Sequence, residues 1–309
     1  MISVFVDGAH GTTGLEIADR ISGRRDIVLI EIAETLRKDP RARREAINDA
    51  DVVILCLPDD AAREAVSLID NKRTRVIDAS TAHRTADNWV FGFHEIDPDG
   101  LERVMGAKRI SNPGCYSTGF LALVKPLVRA GLIPADWPLA VNAVSGYSGG
   151  GKAMIAEFEN GDTDTAWRTY ALGLGHKHVP EMQRHAGLAH APLFAPSVAR
   201  TYRGMVVDVP LMTGAMPKRP SAEEIESALA ELYAGSPIVS LVRNFNETHL
   251  TIEHAANTDR LALFVFANAS ETQIRLVAAL DNLGKGAAGA AVQTLNILAG
   301  LPETVGLRL

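Results

Sequence analysis

The chain has 309 residues, 47% of them hydrophobic and 22% charged, which excludes a disordered chain and suits two domains of ordinary size better than one large one. A formal net charge of −6 leaves no overall basic surface for nucleic acid or acidic lipid and favours a small-molecule ligand. The opening MISVFVDGAH carries no basic leader ahead of an apolar block, and no segment reaches the roughly 18 apolar residues of a membrane span, so a cytoplasmic location is expected.

Residues 2–6 form a short apolar run, DGAHGTTG follows, and Leu15, Ala18 and Ile21 then recur at helical spacing. This reads as strand, glycine turn, helix. Further apolar runs at 27–33, 51–57 and 75–79 alternate with helix-like segments such as 58–70, the rhythm of βαβ units in a doubly wound parallel sheet. Cys56 lies in VVILCLP and reads as part of a buried strand, held away from solvent; two cysteines make no disulfide framework. After Cys115 the pattern changes. A helix over 118–130 precedes the strand-like PLAVNAVSGYSGG and MVVDVPLMTG, which opens a second, α+β domain. Pro220, Ser221 and Glu224 signal a helix start for 220–234. THLTIEHA at 248–255 and RLALFVFANAS are expected to be antiparallel strands. DNLGKGAAGAAVQTLNILAG leads through small residues into an apolar helix able to pack on the first domain.

Gly8, Gly11 and Gly14 lie between the first strand and the first helix. Glycines there allow a sharp turn and a close approach to a pyrophosphate, whose charge is met by amides at the helix N-terminus, and Thr12 and Thr13 add hydroxyls. Glu31 and Glu34 on the second strand are candidates for ribose hydroxyls. The basic cluster Arg37, Lys38, Arg41, Arg43 and Arg44 favours a 2′-phosphate and hence NADP(H), against the alternative of a solvated helix face.

Cys115 follows Asn-Pro-Gly and opens a helical pattern. A helix N-terminus stabilises the thiolate, the reactive form of the side chain. GHKHVPE brings His176, His178 and Glu181 within six residues. His178 is the candidate to take and return a proton, with His176 open as an alternative, and Glu181 to orient an imidazole. A zinc site at His-x-His lacks a third ligand at a recognisable spacing, so no metal is expected. GYSGGGKA matches a phosphate-loop pattern except that Ala153 follows Lys152. With no hydroxyl for Mg²⁺ and no preceding first strand, a nucleoside triphosphatase is excluded. Ser145, Ser148 and Lys152 remain as donors for a phosphate or carboxylate. At the end of the fourth predicted strand, DASTAHR offers Ser80 to a nicotinamide and Arg84 to an anionic substrate or a surface ion pair. Asn282 is either a buried cap or an amide partner of the nicotinamide.

The segments GAHGTTG, SNPGCYSTG, SGYSGGGK, GHKHVPE and DNLGKGAAGAAVQ together resemble the N-acetyl-γ-glutamyl-phosphate reductases of arginine biosynthesis, especially their shorter form, nearly end to end. The resemblance implies a Rossmann domain over 1–114 and 284–309 and a catalytic, oligomerising domain over 115–283 with a mixed, largely antiparallel sheet. It implies NADPH-dependent reduction of N-acetyl-glutamyl 5-phosphate to the semialdehyde, with Cys115 as nucleophile. Gly8, His10, Gly11, Thr12, Thr13, Gly14, Pro58, Ser80 and Asn282 are the expected cofactor residues, and Arg84, Asn112, Ser145 and Lys152 the expected substrate residues. His94 departs from the family pattern, where a smaller residue or proline is usual. Aspartyl phosphate or a carrier-bound aminoadipyl phosphate would need only a different pocket. A non-catalytic NADP(H) sensor would need neither the thiol nor the histidines.

Overall fold

A computed structural model describes residues 1–309. The chain divides into two units: residues 1–94, 99–113 and 287–307 form the first, and residues 95–98, 114–286 and 308–309 the second.

The first unit opens with β1 (Ile2–Asp7), α1 (Thr12–Ile21), β2 (Ile27–Ile30), α2 (Pro40–Asp49), β3 (Val52–Leu55) and α3 (Asp59–Ser67). It continues through β4 (Arg75–Asp78), β5 (Val90–Phe91), α4 (Gly100–Gly106) and β6 (Arg109–Ser111). The strands form one sheet in the order β2-β1-β3-β4-β6-β5, and every pairing is parallel. All four residues of β3 are buried, as a strand covered on both faces must be. The C-terminal helix Gly289–Leu298 returns to this unit, where Val292 and Leu295 share a core with Val4, Ile17 and Ile54. Its ten residues are all buried, and its alanines and glycines allow close packing against the sheet.

The second unit contains α5 (Cys115–Arg129), β7 (Ala140–Gly146), α6 (Gly151–Glu159), β8 (Trp167–Thr169), α7 (Val179–Ala186) and β9 (Leu193–Ala199). Then come β10 (Met205–Leu211), α8 (Ala222–Leu232), β11 (Val239–Leu241), β12 (Leu261–Ala267) and β13 (Ile274–Leu280). The sheet order is β11-β12-β13-β10-β7-β9-β8. Only β11/β12 and β7/β9 pair in parallel. Along β10, Met205, Val207, Val209 and Leu211 are buried while the residues between them are half-buried or exposed, the alternation of a strand with one covered face. Helix α5 lies on that face: a Cβ at Gly119 would stand 2.8 Å from the Val207 side chain. The predicted start of α8 is a formed capping box, with the Ser221 hydroxyl accepting from the Glu224 amide and the Glu224 carboxylate accepting from the Ser221 amide.

One expected strand is absent. Residues 248–255 form no strand: 252–255 are turns, with local bonds such as His254 N–H to Thr251 O, and β12 pairs with β13 antiparallel and with β11 in parallel. Leu250 packs with Phe245 against Phe264 and Val277. The apolar residues of this segment are therefore covered by lying on the sheet rather than by joining it.

Candidate active site

In the first unit the glycine turn is shaped by contact. Gly8 has φ +90°, and a Cβ there would fall 2.4 Å from the Cys56 carbonyl oxygen; a Cβ on Gly14 would fall 2.4 Å from the Gly8 oxygen. No side chain fits either place. Gly11 is the N-cap of α1 and no side chain caps the helix, so the amides of its first turn are free of side-chain partners. Beside the turn lies a cleft of about 680 Å³ lined by Gly8, His10 and Gly11, and by Glu31, Glu34, Arg37 and Lys38 beyond β2. Thr12, Thr13 and Gly14 form the adjoining first helical turn, and Pro58 is the N-cap of α3.

The basic cluster divides by partner. Arg43 is buried and donates to Asp7 at 2.9 Å; Arg44 pairs with Asp70 at 2.9 Å and Arg41 with Glu45 at 3.2 Å. Arg37 approaches only Glu34, at 3.9 Å. Arg37 and Lys38 thus remain at the cleft for an anion. Burial raises the Asp7 carboxyl above the ordinary carboxylate range, against the opposing bond from Arg43. Cys56 stands one residue beyond β3, half-buried and lining the cleft, not within the strand. Its thiol is pushed up to about 12 by burial, then by the charges of Asp78 and Asp7, so it is no nucleophile.

At the end of β4, Ser80 donates to Asp78 at 2.8 Å, and the buried Arg84 donates to the Ala79 oxygen at 3.2 Å. Asn112 is buried, donates to the Ala287 oxygen at 3.0 Å and leaves its Oδ1 without a hydrogen-bond partner.

In the second unit Cys115 is the first residue of α5, with Gly114 as N-cap. It is a free cysteine, half-buried. A Cβ on Gly286 would stand 2.9 Å from the Cys115 Cβ. Only glycine at 286 lets the backbone sit this close to Cys115. The buried Glu181 accepts the Gly114 amide at 3.1 Å through Oε2, while its Oε1 lies 3.9 Å from His178 Nε2. One carboxylate therefore faces both the cysteine's N-cap and the imidazole. His176 accepts the His178 amide at Nδ1, 3.1 Å, which puts the proton of the neutral ring on Nε2, 3.5 Å from the Tyr170 hydroxyl. Tyr170 donates to Tyr116 at 3.2 Å, and Tyr116 to the Ser197 oxygen at 3.0 Å. Burial pushes the Tyr170 phenol up to about 12 against the opposing bond with Tyr116, and Cys115 adds to the rise. Tyr116, Tyr170, His176, His178 and Phe194 form edge-to-face ring contacts that fix the imidazoles by packing.

Ser145 is buried and donates to the Gly146 oxygen at 3.0 Å, whereas Lys152 is exposed in the first turn of α6. Asn282 is buried, donates to the Ser148 hydroxyl at 2.9 Å and accepts the Gly204 amide at 3.0 Å. It therefore staples two loops. The structure gathers Cys115, Glu181, His178 and His176, and separately Gly8, His10 and Gly11. Tyr116, Tyr170 and Gly286 were not among the expected site residues. Only the adjacency of Tyr116 to the cysteine gave a sequence signal.

Family models of the semialdehyde dehydrogenases match both units: an NAD binding domain over residues 14–104 and a dimerisation domain over residues 115–282. Aspartate semialdehyde dehydrogenase II of Vibrio cholerae shares the fold, with a TM-score of 0.71 at 16% identity over 97% of this chain and 98% of that one. The enzyme of Candida albicans, solved with NADP, gives 0.64 at 15% over 96% and 98%. The fold and the two matches make the chain a semialdehyde dehydrogenase, an NAD(P)-dependent oxidoreductase of Rossmann type. A protein of Trichormus variabilis named N-acetyl-gamma-glutamyl-phosphate reductase is 48% identical over 98% of each chain, and one of Pseudomonas putida with the same name, numbered 2, is 47% identical over 98% of each. Within that class the chain belongs to the N-acetyl-γ-glutamyl-phosphate reductase family. No helix in it is long and apolar enough to cross a membrane.

Proposed function

We propose that the chain catalyses the NADPH-dependent conversion of N-acetyl-L-glutamyl 5-phosphate to N-acetyl-L-glutamate 5-semialdehyde and phosphate in arginine biosynthesis, as a cytoplasmic homo-oligomer. The observation that carries this reading is a free, half-buried Cys115 at the start of a 15-residue helix, its N-cap amide held by Glu181, in a chain whose relatives bear that enzyme's name. The dimerisation-domain match supports the oligomer.

The first unit fits the cofactor, because the turn at Gly8 and Gly14 admits no Cβ and the cleft presents two basic side chains. The amides of Thr12 and Thr13 hold the pyrophosphate, and Arg37 and Lys38 hold the 2′-phosphate. When bound, NADPH supplies the hydride that takes the acyl group to the aldehyde level.

Cys115 gives its proton to His178 and its sulfur attacks the acyl carbon. The C–S bond forms, the bond from carbon to the phosphate oxygen breaks, and His178 passes its proton to the departing phosphate. Amides at the start of α5 stabilise the developing oxyanion, a contribution of about 3 kcal/mol per donor. After reduction the C–S bond breaks and releases the aldehyde, and the Cys115 thiolate takes up a proton from solvent through His178, which restores the starting thiol. Arg84, Asn112, Ser145 and Lys152 hold the polar groups of the substrate, and Glu181 keeps the imidazole oriented.

The substrate is tested in the reverse direction. NADP⁺ should be reduced by N-acetylglutamate semialdehyde only when phosphate is present, and aspartate semialdehyde should serve at least about a hundredfold less well. Equal use of the two aldehydes would overturn the substrate assignment.

A further inference from the structure

The C-terminal end of β4 carries a side-chain pair with no part in the chemistry above. Asp78 is fully buried, and its carboxylate accepts the Ser80 amide at 2.9 Å, the Ser80 hydroxyl at 2.8 Å and His83 Nδ1 at 2.6 Å. The His83 ring stacks on Trp89 with centroids 4.0 Å apart. Its side chain keeps 12% exposure, and Nε2 has no protein partner. A buried carboxylate on Nδ1 fixes the tautomer with the proton on that nitrogen, which leaves Nε2 as an acceptor. The stacked indole fixes the plane of the ring. The result is one oriented, solvent-reachable hydrogen-bond acceptor.

Its place in the sheet indicates its ligand. The pyrophosphate turn follows β1, and the cleft beside it runs out over Glu31, Glu34, Arg37 and Lys38, beyond β2. That is the adenosine side. Strand order β2-β1-β3-β4 then sends the other half of the dinucleotide the opposite way, over the ends of β3 and β4. With strands about 4.8 Å apart, β4 lies about 10 Å from β1, the reach of one mononucleotide. Cys56, one residue beyond β3, lines the cleft, and the residue before it, Leu55, is the register partner of Asp78, so the pair adjoins the cofactor's path. The Ser80 hydroxyl is already spent, donating to Asp78 and accepting from the Ala82 amide.

We propose that His83 is a cofactor-binding residue, its Nε2 accepting a hydrogen bond from the carboxamide N–H of the nicotinamide ring. The proposal rests on dinucleotide binding by the first unit and is independent of the substrate's identity.

Calorimetric titration of the full chain tests it without turnover. The probes are NADP⁺ and its 3-acetylpyridine analogue, in which a methyl group replaces the amide nitrogen. The wild type should bind NADP⁺ about fivefold to tenfold tighter than the analogue, the worth of one hydrogen bond. His83→Asn keeps a donor to Asp78 where Nδ1 stood but removes the acceptor; it should bind the two ligands alike, with the analogue unaffected. His83→Gln, whose amide reaches the Nε2 position, should keep part of the preference. A wild type that binds both ligands equally overturns the proposal whatever the variants do, and so does a His83→Asn variant that weakens both to the same extent. Failure of the substrate assay described above would leave these titrations unchanged.

Discussion

Glu181 accepts the backbone amide of Gly114, 67 positions earlier in the chain and immediately ahead of Cys115. The same carboxylate lies 3.9 Å from His178, so it bears on the start of the Cys115 helix and on the imidazole together. Glu181→Gln retains an acceptor of the same size without the charge. It should lower kcat by about thirtyfold, in line with the 1.5–3 kcal/mol of a hydrogen bond to a charged group, while the KM for NADPH stays within about twofold. Steady-state kinetics with the cofactor varied check both figures.

His176 and His178 stand with ring centroids 4.7 Å apart, and their surroundings differ. His178 is buried against Glu181, whereas His176 is half-buried and faces Tyr170. His178→Asn should reduce the rate of thioester formation by about 10²–10⁴, the range of a lost acid–base group. His176→Asn should cost about tenfold, through looser packing of the rings. Rapid-quench measurement of phosphate release separates the two, and a larger loss for His176→Asn would exchange their roles.

Arg37 and Lys38 should carry the preference for the 2′-phosphate. Arg37→Ala and Lys38→Ala are each expected to raise the KM for NADP⁺ about tenfold, through loss of a charge-assisted bond, and to leave NAD⁺ unchanged. Arg43→Met should behave otherwise. Its guanidinium is buried on Asp7, so its loss destabilises the fold by about 3–5 kcal/mol. The raised Asp7 carboxyl sets the sign of the pH effect: its contribution to stability is greatest below the ordinary carboxylate range and is lost as pH rises through the folded value. Removing Arg43 should steepen that loss, which urea melts between pH 4 and pH 7 will show.

Cys56 and Cys115 should differ sharply towards alkylation. With its thiol pushed up to about 12, Cys56 is about one part in 10⁴ thiolate at pH 8. Iodoacetamide at that pH should therefore label one site per chain. Peptide mapping should locate the label at Cys115.

The strand, glycine turn and helix at the N-terminus were legible because the spacing of Gly8, Gly11 and Gly14 has a steric cause that any fold using it must share. The start of α8 was legible for a similar reason, since Ser221 and Glu224 satisfy each other locally. The 248–255 segment was misread because alternation records which residues are covered, not what covers them. Leu250 is covered by Phe245 and the sheet face. In the site, the helix start at Cys115 is punctuated by Pro113 and Gly114 and could be read directly. Tyr170 on Tyr116, Gly286 against Cys115, and Asp78 on His83 depend on tertiary approach, which no spacing announces. The basic cluster shows the same limit: five cations follow β2, and only the fold reveals that Arg43 is already bound to Asp7.

The central claim is that Cys115 is acylated, with loss of phosphate, before any reduction occurs. Mixing the enzyme with N-acetylglutamyl phosphate in the absence of NADPH should release one equivalent of phosphate per site in a burst and add the acyl mass to the Cys115 peptide; Cys115→Ser should show neither. Phosphate release that waits for NADPH, or a burst that persists in Cys115→Ser, would contradict the account.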